Sequence, residues 1–159
     1  MIRSAKVDDL PELIDLMHRS KAHWGYDENF MTAARAVLQL TPNDVQDGRI
    51  AVFDMATGPL GLCKLVIDET HAELDKLFVA PEAMGKGVGR ALMRWAISTA
   101  RAAGAIRLQI EADPDAVPFY ERMGARQIGR VPSEAIAGRW LALLEIDLSD
   151  LAPGLERSI

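Results

Sequence analysis

The sequence is poor in the residues that mark disulfides, metal sites and membrane segments. One cysteine, Cys63, occurs among 159 residues, so an internal disulfide is excluded, and no cysteine–histidine spacing suits zinc. Cys63 lies in an apolar run typical of a strand, which favours a small buried side chain over a nucleophile. No apolar run is long enough to span a bilayer, and residues 1–9 lack the pattern of a signal peptide. We therefore expect a cytoplasmic protein that binds neither a metal ion nor a membrane.

Basic residues are also in the minority. Lysine and arginine number 18 against 23 aspartate and glutamate residues, which gives a formal net charge of -5. This balance argues against a nucleic-acid-binding surface and favours a cationic or neutral substrate. The length and the ordinary composition, 49% hydrophobic and 26% charged, predict one globular domain. We place that domain at residues 1–150 and expect residues 151–159 to form a C-terminal tail.

Hydrophobic periodicity predicts the element order βααβββαβαββ. Strands are expected at 2–6, 50–54, 60–67, 72–79, 106–111, 127–131 and 139–148, and helices from Asp9, near Phe30, over 88–103 and within 113–124. This order combines a hairpin-rich half with one strand–helix–strand crossover, so it predicts an α+β domain on a central mixed sheet. Pro42 is expected to end the second helix near Thr41.

Three burial patterns follow from the same periodicity. Helix 88–103 is predicted to bury one stripe, made of Val88, Leu92, Trp95, Ala96, Thr99 and Ala103. Strand 106–111 is predicted to point three side chains inward, those of Ile106, Leu108 and Ile110. Strict alternation along 72–79 would place four side chains on one face, Glu73, Asp75, Leu77 and Val79. We also expect His18 to be structural and His71 to lie in a turn.

The sequence is organised around a glycine-rich loop between a strand and a helix. Val79-Ala80-Pro81 ends the strand, and Met84-Gly85-Lys86-Gly87-Val88-Gly89-Arg90 leads into the helix. The first N–H groups of a helix have no intrahelical partner, and the helix dipole makes that end partly positive. Alternate glycines would let a phosphate approach these N–H groups. The loop therefore predicts an anion site, with a helix start that binds nothing as the alternative.

Two familiar phosphate loops do not fit this stretch. A Walker loop requires Gly-Lys followed by Ser or Thr, and neither combination occurs in the chain. A dinucleotide fingerprint, Gly-x-Gly-x-x-Gly, would need a third glycine where Arg90 or Leu92 stands, although Glu111 would have matched its ribose-binding acid.

What remains resembles motif A of the GCN5-related N-acetyltransferases, Gln/Arg-x-x-Gly-x-Gly/Ala after a strand that ends Val-x-Pro. Met84 stands where that family usually carries Gln or Arg. A second stretch, Asp113-Pro-Asp-Ala-Val-Pro-Phe-Tyr-Glu-Arg-Met-Gly124, resembles motif B, commonly Asn-x-x-small-x-x-Phe-Tyr-x-x-x-Gly-Phe. Here Ala125 replaces the last Phe, and Asp113 lies near the position of the Asn. Two motifs in the family's order and spacing identify the chain as a member by resemblance.

This resemblance implies the fold and the co-substrate. The fold would be a mixed, mostly antiparallel sheet with flanking helices, in which the parallel strands 73–79 and 106–111 splay apart. Acetyl-CoA would bind there without a metal, its pantetheine arm along the backbone of Leu77 and Val79 and its diphosphate on the N–H groups of 85–90. The implied cofactor-binding residues are Leu77, Phe78, Val79, Met84, Gly85, Lys86, Gly87, Val88, Gly89, Arg90, Asp113, Phe119 and Tyr120. Lys86 or Arg90 would supply positive charge in place of the side-chain donor missing at Met84.

The resemblance also assigns the catalytic groups of acyl transfer to an amine. Glu73 would accept the amine proton, directly or through water, and Asp75 beside it is the alternative, since two nearby carboxylates resist ionising together. The backbone N–H of Val79 would stabilise the oxyanion, and Tyr120 would protonate the leaving thiolate. The alternatives are solvated acids on an exposed sheet face and a hydrogen-bonded core tyrosine.

The acceptor site is expected between two loops, 21–27 and 132–140. Its candidate residues are His23, Trp24, Tyr26, Asp75, Arg139 and Trp140, and the aromatic rings would either line a pocket for a cationic amine or pack over the core. The predicted function is transfer of the acetyl group from acetyl-CoA to a primary amine of a small molecule by direct attack in a ternary complex. The alternatives are a protein or peptide acetyltransferase and a non-catalytic acyl-CoA sensor. Members of the family often form a homodimer, although no segment of this sequence requires one.

Overall fold

A computed structural model of the protein describes residues 1–47 and 49–150, apart from the side chain of Asp150. These residues form seven strands: β1 (Ile2–Ser4), β2 (Ile50–Met55), β3 (Gly58–Asp68), β4 (His71–Val79), β5 (Arg107–Ala112), β6 (Arg126–Pro132) and β7 (Trp140–Asp147). They also form five helices: α1 (Leu10–Ala22), α2 (Glu28–Val37), α3 (Pro42–Gln46), α4 (Val88–Ala102) and α5 (Val117–Arg122). The predicted tail, residues 151–159, lies outside the described residues. No helix in the described part of the chain is long and apolar enough to cross a membrane.

The seven strands form one mixed sheet in the order β1-β2-β3-β4-β5-β7-β6. Every neighbouring pair is antiparallel except β4 and β5, which are parallel and are joined by the crossover helix α4. This arrangement confirms the predicted α+β fold with a mostly antiparallel sheet and flanking helices.

The parallel strands β4 and β5 separate after a short paired stretch. Residues 71–74 pair with 107–110, but β4 continues to Val79 and β5 to Ala112 without pairing to each other. The separation begins at Asp75. β4 also carries a bulge at this residue, since Leu65 pairs with Leu74 and Lys64 pairs with Lys76, which leaves Asp75 as an extra residue. The splay that the resemblance implied is therefore present, and the bulge coincides with its origin.

The two faces of the sheet are covered by different helices. Gly61 of β3 faces α4 so closely that an ideal Cβ there would lie 2.8 Å from Val88 and 3.0 Å from a Leu92 methyl group. Lys64, three residues along β3, points to the opposite face, where Asp44 of α3 accepts its hydrogen bond at 3.0 Å. We call these the α4 face and the α2 face, because residues of α2 lie opposite Glu73 and Lys76 of the second face across a cavity.

The bulge corrects the strict alternation predicted for β4. Opposed residues of neighbouring strands share a face, so Glu73 (opposite Val66) and Lys76 (opposite Lys64) both lie on the α2 face. Leu77 and Val79 lie on the α4 face, opposite Cys63 and Gly61. The extra residue Asp75 reverses the alternation of side chains along β4. The prediction that Glu73 shares a face with Leu77 and Val79 is therefore wrong.

Two further burial predictions are only partly right: Val88, Leu92 and Ala96 of α4 and Leu108 and Ile110 of β5 are buried as predicted, and the other members are not. α4 buries Val88, Leu92, Met93, Ala96, Ile97 and Ala100, whereas Trp95 and Thr99 are only half-buried and Ala103 is exposed. The buried face follows an i, i+4, i+5 pattern, so its centre runs along Met93 and Ile97 rather than Trp95 and Thr99. Ile106 is 44% exposed because β5 begins one residue later, at Arg107.

Two turn predictions also need correction. α2 already ends at Val37, and Pro42 is the first residue of the unpredicted helix α3. Thr41 caps this helix: its hydroxyl accepts the Asp44 N–H, while the Asp44 carboxylate accepts the Thr41 N–H at 2.7 Å. His71 belongs to β4, paired with Asp68, because the hairpin turn is shorter than expected.

Candidate active site

The glycine loop leaves the start of α4 open to a ligand. Gly85 and Gly87 have φ values of +76° and +85°, a left-handed conformation that side chains rarely adopt. An ideal Cβ at either position would meet no atom within 4 Å. Gly87 is the N-cap of α4 and no side chain caps the helix, so the N–H groups of 88–90 face the loop without a side-chain partner. This open, positively polarised helix end fits a diphosphate group.

Gly89 and Lys86 do not form the open part of the loop, although the sequence predicted that a phosphate would approach the N–H groups of all residues 85–90. An ideal Cβ at Gly89 would lie 3.3 Å from the Phe119 ring and 3.7 Å from Val79, so this glycine allows α4 to pack against α5. The Lys86 N–H donates to the Ala83 carbonyl at 3.3 Å. The open part of the loop is therefore formed by Gly85, Gly87 and the first turn of α4.

The backbone of β4 presents free hydrogen-bonding groups to the gap between the strands. The Ala80 N–H donates to the Leu60 carbonyl of β3 at 2.8 Å. Because N–H directions alternate along a strand, the N–H groups of Leu77 and Val79 point away from β3. On that side β5 has already separated. An extended chain could therefore pair with Leu77 and Val79, as the resemblance implied for pantetheine.

A cavity of about 500 Å³ lies on the α2 face beside this gap. Its apolar wall comes from α2, the segment after it and β7, and consists of Phe30, Ala34, Val37, Leu38 and Leu141. Its charged lining consists of Lys21, Glu73, Asp75, Lys76, Glu111, Asp113, Glu134 and Arg139. The separation of β4 and β5 thus lies between a charged cavity on one face and α4 with its glycine loop on the other.

Asp113 anchors one side of the cavity. Its carboxylate accepts from Lys21 of α1 at 2.6 Å and from Arg139 at 2.8 Å. The Arg139 guanidinium also lies over the rings of Tyr26 and Phe30, which stack at 3.9 Å between centroids. These contacts join α1, the α1–α2 connection, the end of β5 and the β6–β7 loop, so two loops predicted for the acceptor site do meet here.

Asp75 is held between two lysines. Its carboxylate lies 2.8 Å from Lys76 and 3.3 Å from Lys64, and Lys64 also binds Asp44. Burial alone would raise the pKa of Asp75, but the hydrogen bond and charge of Lys76 and the charge of Lys64 outweigh it and hold that pKa below its ordinary value. Asp75 therefore stays ionised, and it is not the carboxyl whose pKa is shifted toward neutrality.

Among the described carboxyls, Glu111 is the one whose pKa is raised, and it was not among the catalytic residues predicted from the sequence. Its partial burial raises the pKa, and the negative charges of Glu73, Glu134 and Asp75 raise it further. Glu73 pairs with Gln109, so Glu111, two residues along β5, points to the same α2 face. The signal was available in the sequence, since Glu111 ends a strand predicted to lie beside Glu73.

Tyr120 lies on α5 within the core and is 8% exposed. Its ring contacts Phe119 edge to face, and Phe119 in turn lies next to Gly89 at the start of α4. Burial raises the pKa of Tyr120 well above its ordinary value, with smaller contributions from Cys63 and Asp113. The hydroxyl is therefore protonated over the whole neutral range. Cys63, as predicted, is completely buried, and burial raises the pKa of its thiol.

The remaining predicted residues are spread around this centre. Phe78 lines the cavity, Met84 is half-buried, and Lys86 and Arg90 are exposed beside the loop. His23, Trp24 and Trp140 are not among the described residues that line the cavity. Trp24 is 56% exposed and Trp140 is 49% exposed. The Arg130 guanidinium lies over the Trp140 ring, 5.0 Å from its centre.

A sequence model of the Acetyltransferase (GNAT) family matches residues 13–125. This match spans more than half of the chain, so the protein belongs to that family.

Solved acetyltransferases have a similar fold. The PaiA N-acetyltransferase of Thermoplasma acidophilum, in complex with coenzyme A, has a TM-score of 0.73 at 18% identity, covering 92% of this chain and 98% of that one. The ribosomal-protein-S18-alanine N-acetyltransferase of Escherichia coli has a TM-score of 0.70 at 17% identity, with 96% of each chain covered. The yncA protein of Salmonella typhimurium, with acetyl-CoA, has a TM-score of 0.69 at 19% identity, covering 96% and 95%. The family match confirms the predicted acetyltransferase family, and the solved structures confirm the predicted fold.

Proposed function

We propose that the protein transfers an acetyl group from acetyl-CoA to a primary amine of a small molecule, by direct attack in a ternary complex. The observation that carries this proposal is the cavity of about 500 Å³ beside the gap between β4 and β5. Its volume is in the range of small-molecule sites. Its position across the sheet from α4 allows an acceptor to approach from the side opposite the glycine loop.

Acetyl-CoA would be held by the residues already described and would supply an acetyl thioester at the gap. The N–H groups at the start of α4 and the backbone of Leu77 and Val79 would bind it, with Gly85 and Gly87 keeping the loop open. The Val79 N–H, directed into the gap, stabilises negative charge on the acyl oxygen. A fixed backbone donor of this kind is worth about 3 kcal/mol.

The proton of the acceptor ammonium goes to the carboxylates on the α2 face. Glu73 and Glu111 lie on this face at the origin of the gap. The raised pKa of Glu111 makes its carboxylate a better proton acceptor. The proton needed by the leaving thiolate comes from Tyr120, whose raised pKa keeps it protonated. The base and the acid therefore belong to opposite faces of the sheet.

The test is turnover of a panel of small primary amines with acetyl-CoA, measured as release of free thiol and as acetylated product by mass spectrometry. Acetylation of small amines supports the proposal. Binding of acetyl-CoA by calorimetry without acetylation of any amine or peptide would favour the sensor. Acetylation of peptides alone would favour the protein acetyltransferase.

A further inference from the structure

One arginine joins the two loops beside the cavity. The guanidinium of Arg139, at the end of the β6–β7 loop, lies 5.3 Å from the ring centre of Tyr26 and 4.8 Å from that of Phe30. An N–H of the same group donates to the Tyr26 hydroxyl at 3.4 Å, and the guanidinium lies 2.8 Å from the Asp113 carboxylate. We call these contacts of Arg139 with Tyr26, Phe30 and Asp113 the Arg139 latch. The latch fastens the α1–α2 connection and α2 to the end of β5.

The latch is better shielded from water than an ordinary surface ion pair. The side chains of Arg139 and Asp113 are 22% and 27% exposed. Exposed ion pairs contribute little, whereas a cation over an aromatic ring contributes more as it loses contact with water. Lys21 of α1 adds a second cation, 2.6 Å from Asp113 and 5.4 Å from the centre of the Tyr26 ring. The contacts are therefore strong enough to hold the two loops together.

Each loop turns immediately before the residue that it contributes to the latch. Gly25 precedes Tyr26 and Gly138 precedes Arg139, and their φ values are +77° and +81°. Glycine adopts this left-handed conformation without strain, so both loops can turn toward each other at these points. The N–H of Ser133 donates to the Arg139 carbonyl at 2.7 Å and closes the base of the β6–β7 loop. The backbone of Arg139 is thus fixed, and its side chain bridges the two loops.

The latch borders the acceptor cavity. Phe30, Asp113 and Arg139 all belong to its lining. A volume of about 500 Å³ accommodates a small molecule, but an extended polypeptide has to continue beyond the cavity. An acceptor that leaves the cavity between the two loops must therefore break the latch, whereas one that fits inside leaves it intact.

We propose that Arg139 determines specificity by size: its latch restricts the acceptor to molecules that fit within the cavity, and a polypeptide reaches the gap between β4 and β5 when the latch is open. This inference rests on the proposed function and gives it a physical basis for selecting small amines. Arg139 acts through Tyr26 and the two loops, so it selects the acceptor without touching the reacting amine. This role differs from the direct contact with the acceptor expected from the sequence.

The experiment measures kcat/KM with acetyl-CoA for two acceptors, 1-aminobutane and a glycine–serine octapeptide with a free N-terminus. The parent protein should prefer the small amine. Arg139→Met removes the charge and the donors but keeps an unbranched side chain, and Asp113 retains its ion pair with Lys21. We expect kcat/KM for the peptide to rise relative to that for the amine by about 5- to 30-fold, because loss of the cation–ring contacts increases the open fraction by this factor.

A second variant breaks the latch from the other loop. Tyr26→Leu removes the ring and the hydroxyl that Arg139 contacts, and it should change the ratio of peptide to amine kcat/KM in the same direction. Because both substitutions remove the same contacts, the double variant should show little further change.

Arg130→Met is the matched control. Arg130 also lies over an aromatic ring, that of Trp140 at 5.0 Å, but it is not among the described residues that line the cavity. This variant should leave the ratio unchanged. Circular dichroism checks that all variants are folded, and a general loss of stability would lower kcat/KM for both acceptors alike.

The outcomes separate the latch from the proposed function. An unchanged ratio in folded Arg139→Met, or a parent protein that acetylates the peptide as efficiently as the amine, would overturn the latch while acetylation of small amines stands. Failure of the parent protein to acetylate any small amine, with acetyl-CoA still bound, would remove the proposed function and this inference together.

Discussion

At the scale of single residues, Glu111 is a carboxyl whose ionisation the fold opposes. Partial burial and the charges of Glu73, Glu134 and Asp75 raise its pKa above the ordinary value of 4.5. A carboxyl with a raised pKa in the folded state contributes stability below its unfolded pKa and loses that contribution as the pH rises through the folded pKa. Ionised Glu111 is therefore destabilising at neutral pH, which is a common property of residues kept for function.

This gives a direct prediction for Glu111→Gln. The variant should unfold at a higher urea concentration than the parent protein at pH 7, because the repelling charge is gone. The difference should vanish as the pH falls below 4.5, where the parent carboxyl is itself neutral. Urea titrations at both pH values provide the measurement. A less stable variant at pH 7 would show that Glu111 is not repelled in the folded protein.

Tyr120 makes a kinetic prediction. Replacing it by Phe removes the proposed acid but keeps the ring that packs against Phe119. We expect single-turnover acetylation to slow by about 10²–10⁴-fold, the usual contribution of a positioned general acid. Calorimetry should show almost unchanged affinity for acetyl-CoA. An unaltered chemical step would remove Tyr120 from the acid role and leave it as a core residue.

At the scale of elements, the close approach of α4 to β3 depends on Gly61. A Cβ there would lie 2.8 Å from Val88, 3.0 Å from Leu92 and 3.1 Å from the backbone carbonyl of Phe78, which cannot move away as a side chain can. We expect Gly61→Ala to lower the free energy of unfolding by about 1–3 kcal/mol, as overpacking of a core does. Chemical denaturation provides the measurement.

Gly129 of β6 supplies the matched control for this substitution. An ideal Cβ at Gly129 would meet nothing within 4 Å. Gly129→Ala should therefore change the free energy of unfolding by no more than about 0.5 kcal/mol. Equal effects of the two substitutions would contradict the close packing of α4 on β3.

Helices and loops that follow from a local sequence pattern were predicted well. Features that depend on a neighbouring element in space were predicted less well. The glycine loop and α4 follow from Gly85, Gly87 and a long amphipathic run. The bulge at Asp75 could not be predicted, because it depends on the register between β3 and β4 rather than on either strand alone. The sequence around Pro42 is compatible with the end of one helix or the start of another, since proline is found at both positions.

At the scale of the whole molecule, binding of the co-substrate should stabilise the fold. The proposed site joins β4, the loop and α4, so a ligand that binds only the folded state would shift unfolding by mass action. At one hundred times its Kd this amounts to about 2.7 kcal/mol. For a domain of this size, that corresponds to a rise in Tm of about 5–10 °C.

Thermal unfolding with acetyl-CoA, coenzyme A and NAD separates the parts of this prediction. Both coenzyme A forms should raise Tm. NAD, which has a diphosphate but no pantetheine arm to pair with Leu77 and Val79, should have little effect. An equal rise with NAD would show that the helix start binds diphosphates without any contribution from the splayed strands.

The sequence by itself determined the family, the order of elements apart from α3, the glycine loop and the position of Tyr120, because each depends on residues that are neighbours along the chain or on a motif of fixed spacing. Only the tertiary structure decided which charges face one another. It paired Asp75 with two lysines and Asp113 with Lys21 and Arg139, and it left Glu111 beside Glu73 and Glu134. Such pairings join residues far apart in sequence, and the energy of a charge depends on its neighbours in space.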